Sequence, residues 1–291
     1  MKKTAVWLVL WLGALLPAAA QLKIEVTLDQ EQFLPGESLP VAVRIANHSG
    51  QTVHLGKEQD WLTFSIESRD GFVVLKDNDA SVGGEFDLEP SKVAIKRVDL
   101  APSFELTRSG RYVVTASVKI AEWDHISSSL PKPFTIIQGS KLWEQEFGVP
   151  GSGTNGVPEM RRYILQQANY VRSNLRLYLR LTDGLGIRSY SVIAVGPLIS
   201  FSRVEHEVDR ASNLHIMFAD GPRSYLYTIV SPDGQVVARR QYEYQDSRPR
   251  LQTDDKGIIS VRGGILREDT NQNASTVRAA PPIPDELPKS K

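Results

Sequence analysis

The chain of 291 residues contains no cysteine. It therefore cannot use disulfides or thiolate metal sites, and its stability must come from burying an apolar core. Net charge is lacking as well, because 34 basic residues balance 34 acidic ones, which argues against a nucleic-acid partner. After the N-terminal region, no apolar run is long enough to cross a bilayer, so we expect no membrane span in the mature chain.

Residues 1–20 have the order of residues found in a secretory signal peptide. Lys2 and Lys3 precede an apolar run from Ala5 to Leu16, and Pro17-Ala18-Ala19-Ala20 offers small residues for cleavage before Gln21. The run is shorter than the roughly 20 residues that a membrane span needs. We predict an exported bacterial protein, either periplasmic or extracellular, whose mature chain has two more acidic than basic residues.

Residues 21–138 consist of short alternating runs separated by turn residues. One run precedes the turn Asn47-His48-Ser49-Gly50, and another precedes Arg69-Asp70-Gly71. Their apolar positions are Val41, Val43 and Ile45 in the first run and Leu62, Phe64 and Ile66 in the second. Six or seven such runs in this length predict antiparallel strands packed as a β-sandwich.

Three motifs make this region similar to the immunoglobulin-like or fibronectin-III-like sandwiches of bacteria. They are Phe33-Leu34-Pro35-Gly36-Glu37 before a strand, Trp61 at the start of a middle strand, and Ser109-Gly110-Arg111-Tyr112-Val113-Val114. The resemblance implies that Tyr112 lies two residues before the core position Val114 and that its hydroxyl bonds to the upstream backbone. A fold of this class hosts many functions, so the resemblance implies no activity.

The C-terminal half is predicted to be a second β domain, residues 160–264, which follows a flexible linker, residues 139–159. A weak repeat favours this division. Ser173-Asn174-Leu175, Leu181-Thr182-Asp183-Gly184 and Arg188-Ser189-Tyr190 recur as Ser212-Asn213-Leu214, Phe218-Ala219-Asp220-Gly221 and Arg223-Ser224-Tyr225. A half-copy also relates Ser202 to Asp209 with Ser247 to Asp254. Periods near 40 residues with several strands each are typical of propeller blades.

One turn of this domain resembles the repeats of sialidase-type propellers. Thr253-Asp254-Asp255-Lys256-Gly257 fits their Ser/Thr-x-Asp-x-Gly turn, but Ile259-Ser260 stands where an aromatic residue is expected. The domain has room for about two and a half blades, whereas a closed propeller needs four or more. We therefore predict a blade-like antiparallel sheet domain, with a small sandwich as the alternative, and we transfer no catalytic residue.

Two segments of this domain need a choice between helix and strand. Met160, Ile164 and Ala168 fall at helical spacing, so residues 160–170 remain open between the two. In residues 175–181 leucines alternate strictly with other residues, which favours a strand. Arg176, Tyr178 and Arg180 then share the face opposite the leucines, and we call these three residues the arginine–tyrosine stripe. It is the candidate binding surface, for an acidic protein or a sugar, although a solvated outer face explains the same pattern.

No set of residues indicates catalysis, a metal or a cofactor. The five histidines include no closely spaced pair. The acidic loop Asp77 to Glu89 has Val82 and Leu88 at two positions where a calcium loop needs Gly and Glu. Ser129-Leu130-Pro131-Lys132 has the letters of a Ser-x-x-Lys nucleophile motif, but proline opposes the helical turn that this chemistry needs.

These observations favour a non-enzymatic, exported binding or scaffolding protein that presents β domains to a protein partner. Two alternatives are open: a carbohydrate-binding module or lapsed glycosidase relative, and a proteinase inhibitor built on the first domain. The tail, residues 265–291, is polar and includes Ala280-Pro281-Pro282-Ile283-Pro284. Such a composition predicts disorder.

Overall fold

A computed structural model describes residues 22–149, 151–152, 157–170 and 174–267. The predicted signal peptide and the part of the predicted tail after Arg267 lie outside the described residues, whereas Ile265–Leu266, at the start of that tail, form a short strand instead of being disordered. The chain is mainly β, as predicted, and its sheets are antiparallel except for one parallel strand pair. Within the described ranges the helical segments are two single 3₁₀ turns, Ala101–Ser103 and Ala121–Trp123, and neither approaches the length or apolarity of a membrane-crossing helix.

The described residues up to Pro197 form one compact unit, and those from Leu198 form a second. The first ten strands of unit 1 are β1 (Leu22–Leu28), β2 (Gln32–Phe33), β3 (Pro40–Asn47), β4 (Val53–Leu55), β5 (Leu62–Ser68), β6 (Phe86–Leu88), β7 (Val93–Asp99), β8 (Gly110–Ile120), β9 (His125–Ser128) and β10 (Lys132–Ile136). One sheet has the order β1-β3-β7 and the other β2-β10-β8-β5, with β9 on β8 and a separate β4-β6 pair.

The two larger sheets share one apolar core, because alternate residues of each strand point inward. Val43 and Ile45 of β3 are fully buried, and so are Val114 and Ala116 of β8. This is the alternation that predicted the strands. Burying such side chains removes them from water, which contributes about 1.5–3 kcal/mol for each large aliphatic or aromatic group.

Tyr112 makes the contact with the upstream backbone that the resemblance implied. Its hydroxyl donates a hydrogen bond of 2.5 Å to the carbonyl oxygen of Arg108. The ring is buried between Phe134, whose ring is stacked at 5.4 Å, and Phe72, whose edge contact is 5.5 Å. This contact is confirmed, whereas membership of an immunoglobulin-like family stays a prediction.

A third sheet completes unit 1 and corrects the predicted linker. Its strands follow in the order of the chain: β11 (Ser140–Val149), β12 (Glu159–Tyr170), β13 (Asn174–Asp183) and β14 (Ser189–Pro197). Residues 140–149 of the predicted linker therefore belong to a strand, and the Gly- and Pro-rich stretch after them connects β11 to β12. Such residues suit a hairpin loop as well as a flexible linker. Residues 159–170 form a strand, which settles the open choice, and the strand predicted at 175–181 is confirmed.

Unit 2 contains another up-and-down sheet and a separate hairpin. The sheet has the order β15 (Glu205–Val208), β16 (Leu214–Ala219), β17 (Ser224–Val230), β18 (Val236–Glu243) and β21 (Ile265–Leu266). The hairpin pairs β19 (Arg250–Thr253) with β20 (Ile259–Arg262).

The sequence repeat corresponds to related hairpins, one in each unit. Its copies fall on β13–β14 and on β16–β17. In the first hairpin the N–H of Asp183 donates to the carbonyl of Arg188, and in the second that of Asp220 donates to Ser224. The second connection is one residue shorter between these partners, so the copies are offset unevenly. A closed propeller is not needed to explain this repeat.

Candidate functional site

The arginine–tyrosine stripe lies on β13, but it does not face solvent. Tyr178 is 0% exposed and packs in an apolar cluster with Leu34, Ala168 and Val192. The expectation of a solvent-facing stripe is therefore wrong. Strand periodicity correctly placed the stripe opposite the leucines, but it could not reveal that both faces of β13 are covered.

The two arginines of the stripe are tied to the segments on either side of β2. A terminal nitrogen of Arg180 donates a hydrogen bond of 2.8 Å to the carbonyl oxygen of Pro35. Arg176 donates one of 3.2 Å to the side-chain oxygen of Gln30. Burial lowers the pKa of the Arg180 guanidinium from its ordinary value. These contacts hold the third sheet of unit 1 against the sandwich, so the stripe is part of the interior of this unit.

Glu37 extends this network into the sandwich. Its carboxylate accepts a hydrogen bond of 2.8 Å from the N–H of Leu34 and one of 2.9 Å from the amide of Gln30. Burial raises the pKa of Glu37 above its ordinary value, and the two hydrogen bonds and the charge of Arg176 only partly oppose this effect. The Phe33–Glu37 motif that was assigned to the sandwich thus also anchors the stripe.

The residues considered for metal or nucleophilic chemistry do not assemble into a site. Asp79 pairs with Lys76, whereas Asp87 of the same acidic loop pairs with His54 at 2.5 Å. No group of three or more potential ligands for a metal ion occurs among the described residues. The hydroxyl of Ser129 accepts a hydrogen bond from the N–H of Ala116, and Ser129 is buried just after β9.

A buried polar cluster lies inside unit 2. The spacing of the histidines in the sequence did not predict it. His215 is within 2.6 Å of the Tyr227 hydroxyl through Nδ1 and within 3.3 Å of Asp209 through Nε2. Burial raises the pKa of Tyr227. His215 and Tyr227 are 6% and 3% exposed, so a ligand cannot reach them. We therefore assign this polar cluster a packing role.

An open cleft of about 560 Å³ lies at the β19–β20 hairpin of unit 2, and three arginines contribute to its lining. We call it the arginine cleft. It is lined by Ser247, Arg248, Arg250, Leu251, Gln252, Arg262 and Gly263. None of its three arginines forms an ion pair with a carboxylate of the described residues.

Two of these arginines face each other across the hairpin. Arg250 and Arg262 are direct cross-strand partners, and both are exposed. Side chains of such a pair leave the same face of the sheet with Cβ atoms about 5 Å apart, and like charges in these positions are destabilising. The next pair on this face, Gln252 and Ser260, is polar, whereas Leu251 on the other face is half-buried. The exposed face therefore combines positive charge with neutral hydrogen-bonding groups.

Arg248 brings a third positive charge to the cleft. Its guanidinium carbon lies 5.4 Å from the centre of the Tyr225 ring, a cation–π contact that restrains the side chain. Its Nε is buried and has no hydrogen-bond partner among the described residues. A buried donor without a partner costs free energy in the folded protein.

Two glycines allow the backbone to bring these arginines together. Gly263 and Gly264 have φ values of +78° and +66°. A Cβ atom on Gly263 would lie 2.7 Å from the carbonyl oxygen of Arg248, and one on Gly264 would overlap Pro249. The N–H of Gly264 donates to the carbonyl of Ser247. Only glycine permits both this left-handed conformation and this close approach. As a result, the backbone of Arg248 lies beside the residue that follows Arg262.

The register of the hairpin is fixed by the turn that resembles the sialidase repeats. The Asp254 carboxylate accepts hydrogen bonds from the N–H groups of Lys256 and Ile258, at 2.9 Å and 2.7 Å. The N–H of Asp254 donates to the carbonyl of Ile258. Asp209 makes the equivalent bonds to Ala211 and Asn213, which explains the half-copy in the sequence. This turn thus sets the pairing of Arg250 with Arg262.

A local signal for the cleft exists in the sequence. Polar residues alternate with apolar ones on both sides of the Asp254 turn, as expected for a hairpin with one polar face. Arg250 and Arg262 are equally distant from a turn spanning Asp254 to Ile258, so the register could have paired them. Arg248 could not be placed in this way, because it lies outside the paired strands.

The comparisons with known proteins leave the family open. No family model matches the chain, and no curated protein matches it. Among solved structures, the chain is similar to Spo0M, a sporulation control protein from Bacillus subtilis, with 9% identity and a TM-score of 0.32. The match covers 55% of this chain and 79% of that one. A TM-score this low assigns neither a family nor a function.

Proposed function

We propose that this protein is an exported, non-enzymatic binding protein and that the arginine cleft holds an anionic group of its partner. The observation that carries the proposal is the cross-strand pair of Arg250 and Arg262 beside Arg248, with no carboxylate partner among the described residues. Such a pair costs stability in the free protein, and an anionic group bound between the two guanidinium groups would offset that cost.

The chemistry of the cleft suits recognition rather than reaction. Guanidinium groups do not give up protons in the physiological range, so they are poor general bases and nucleophiles. They bind carboxylate or phosphate oxygens with paired, charge-assisted hydrogen bonds, and arginine is enriched at the energetic centres of interfaces. The predicted signal peptide supports placement of this activity outside the cytoplasm.

A protein partner is favoured over a neutral sugar. The described residues that line the cleft include no aromatic side chain, and the Arg248 guanidinium lies over one face of the nearby Tyr225 ring. The glycan alternative relied on Tyr178, which is fully buried. The proposal therefore transfers the binding role from the arginine–tyrosine stripe to the arginine cleft and keeps the protein partner.

A quantitative capture experiment tests this function. The full mature chain, the Arg262→Gln variant and the Arg240→Gln variant are cross-linked to envelope and medium fractions of the source bacterium, and captured proteins are quantified by mass spectrometry. Arg240 is an exposed arginine of β18 outside the cleft, so its substitution makes the same charge change. We expect one partner that the wild type and Arg240→Gln retain and Arg262→Gln loses. Equal capture by all three, or no capture, would contradict the proposal.

A further inference from the structure

We infer that the arginine cleft selects a dianionic tetrahedral oxyanion, namely inorganic phosphate or a phosphate monoester, over a carboxylate. This inference rests on the proposed binding function of the same cleft and specifies the group that it recognises. Three features carry it: the number of charges, the number of oxygens that the arginines can engage, and the neutral donors beside them.

The charge balance of the cleft favours a dianion. Arg248, Arg250 and Arg262 together contribute three positive charges, and no described carboxylate pairs with any of them. A carboxylate would neutralise one of these charges and leave the cross-strand pair repulsive. A phosphate monoester neutralises nearly two, because it carries a charge of about −1.5 to −2 at pH 7. The dianion therefore relieves the repulsion between Arg250 and Arg262 more completely.

The arrangement of donors favours a tetrahedral group. A single arginine fork occupies both oxygens of a carboxylate, so a second fork has no equivalent acceptors in the same plane. A phosphate monoester presents three unesterified oxygens in three directions. Arg250 and Arg262 leave the same face of the hairpin about 5 Å apart at Cβ, so two forks can approach one small group from two sides. Arg248 also lines the cleft, so a third guanidinium group lies beside the same small group.

Neutral donors in the cleft fit the remaining oxygens. Gln252 lies two residues from Arg250 on the same face of β19, and Ser247 lines the cleft next to Arg248 in the chain. An amide and a hydroxyl can donate to an ester oxygen without adding charge. The described lining residues therefore supply neutral donors beside the arginines and include no acidic side chain that would repel an anion.

The test measures stabilisation of the folded protein by small anions. The full mature chain is unfolded thermally at low ionic strength, held constant, with millimolar inorganic phosphate, sulfate, dimethyl phosphate or acetate. Binding to the native state raises the melting temperature. We expect a rise with phosphate and sulfate, both dianionic and tetrahedral, and little change with acetate or with dimethyl phosphate, which keeps the shape but carries one charge. A rise with acetate equal to that with phosphate overturns the inference.

Two variants separate specific binding from the general stabilising effect of these salts. Phosphate and sulfate stabilise most proteins through exclusion from the surface, and Arg262→Gln retains that effect. We expect Arg262→Gln to melt higher than the wild type without anions and to bind phosphate at least about tenfold more weakly, while Arg240→Gln resembles the wild type. A merely structural role for Arg262 predicts a lower melting temperature and an unchanged phosphate response, which would overturn the inference.

A final arm identifies the source of the phosphate group. Phosphatidylcholine vesicles with phosphatidic acid present a monoester on a lipid, whereas vesicles with phosphatidylglycerol present a diester. Cleft-dependent binding to phosphatidic acid vesicles supports a lipid source, and binding to inorganic phosphate alone supports a soluble or protein-borne one. If neither binds but the captured partner still depends on Arg262, oxyanion selection is wrong and the proposed function stands. If that partner is absent too, both fail.

Discussion

The molecule contains two groups of arginines on β-strands, and they differ in what surrounds them. In the arginine–tyrosine stripe of unit 1, Arg176 and Arg180 bond to Gln30 and to the Pro35 carbonyl, with a fully buried tyrosine between them. In the arginine cleft of unit 2, the guanidinium groups have no carboxylate partner among the described residues, and two of them oppose each other across a hairpin.

This difference teaches that the density of arginine along a strand does not identify a binding surface. A side chain with internal partners stabilises the fold and is unavailable to a ligand. A charge that costs stability and has no partner is the better candidate for recognition. The comparison predicts that the same kinds of substitution will have opposite consequences in the two regions.

The largest effect should come from the centre of the stripe. Tyr178→Ala leaves a cavity among Leu34, Ala168 and Val192, and we expect a loss of about 3–5 kcal/mol in the free energy of unfolding. Tyr244→Ala, at a residue that is 39% exposed, should change it by less than about 0.5 kcal/mol. Urea denaturation followed by fluorescence measures both. Equal, small losses would mean that Tyr178 is not part of the interior.

The next largest effect concerns Arg180. Arg180→Met keeps much of the side-chain volume but leaves the Pro35 carbonyl without its donor, so we expect a loss of about 1.5–3 kcal/mol. The matched change Arg250→Met in the cleft should cost nothing or give a small gain, because it removes an unfavourable charge pair. The same denaturation measurement checks this difference, and a comparable loss at both positions would abolish the contrast between the regions.

Replacing an arginine by glutamine should change the free energy of unfolding in opposite directions in the two regions. In a buffer without multivalent anions, Arg262→Gln should raise the free energy of unfolding by about 0.2–1 kcal/mol, because it removes a like-charge cross-strand pair. Arg176→Gln should lower it, since the bond to Gln30 and the favourable charge near Glu37 are lost. Thermal unfolding at low and high salt measures the rise expected for Arg262→Gln and the fall expected for Arg176→Gln. A change of the same sign in both variants would contradict the interpretation.

The smallest effect we expect is a change in the pH dependence of stability. The pKa of Glu37 is raised in the folded protein, so the folded state holds this proton more tightly than the unfolded chain. Its contribution is complete below the unfolded glutamate pKa of about 4.3 and is lost as the pH rises through the folded pKa. Glu37→Gln should flatten this decline. Urea denaturation at a series of pH values above 4 tests this, and Arg262→Gln should leave the slope unchanged.

Much of unit 1 could be predicted because the relevant signals are local. Alternation predicted the strands around Val43 and Phe64, and the resemblance carried by Tyr112 and Val114 implied a bond from the Tyr112 hydroxyl to the upstream backbone, whose acceptor is the Arg108 carbonyl. The linker was predicted wrongly for a local reason as well. Glycine and proline after Val149 indicate a break in regular structure but do not distinguish a hairpin loop from a domain boundary.

The candidate site was less predictable, because it depends on contacts between distant segments. The turn at Asp254 and the polar face of the hairpin are encoded locally. By contrast, Arg248 reaches the cleft only because Gly263 and Gly264 let two separate parts of the chain approach closely. Strand periodicity likewise identified the face on which Tyr178 lies, but not the loop that covers it.

The sequence by itself determined the absence of disulfides, the alternation that builds the strands, and the Asp254 turn that sets one hairpin register. Each follows from residue types and from spacings of a few residues, to which backbone geometry responds directly. The tertiary structure decided which arginines have partners, because that depends on packing between segments far apart in the chain. Burial against the sandwich gave Arg180 a carbonyl from Pro35, whereas the exposed hairpin left Arg250 and Arg262 facing each other.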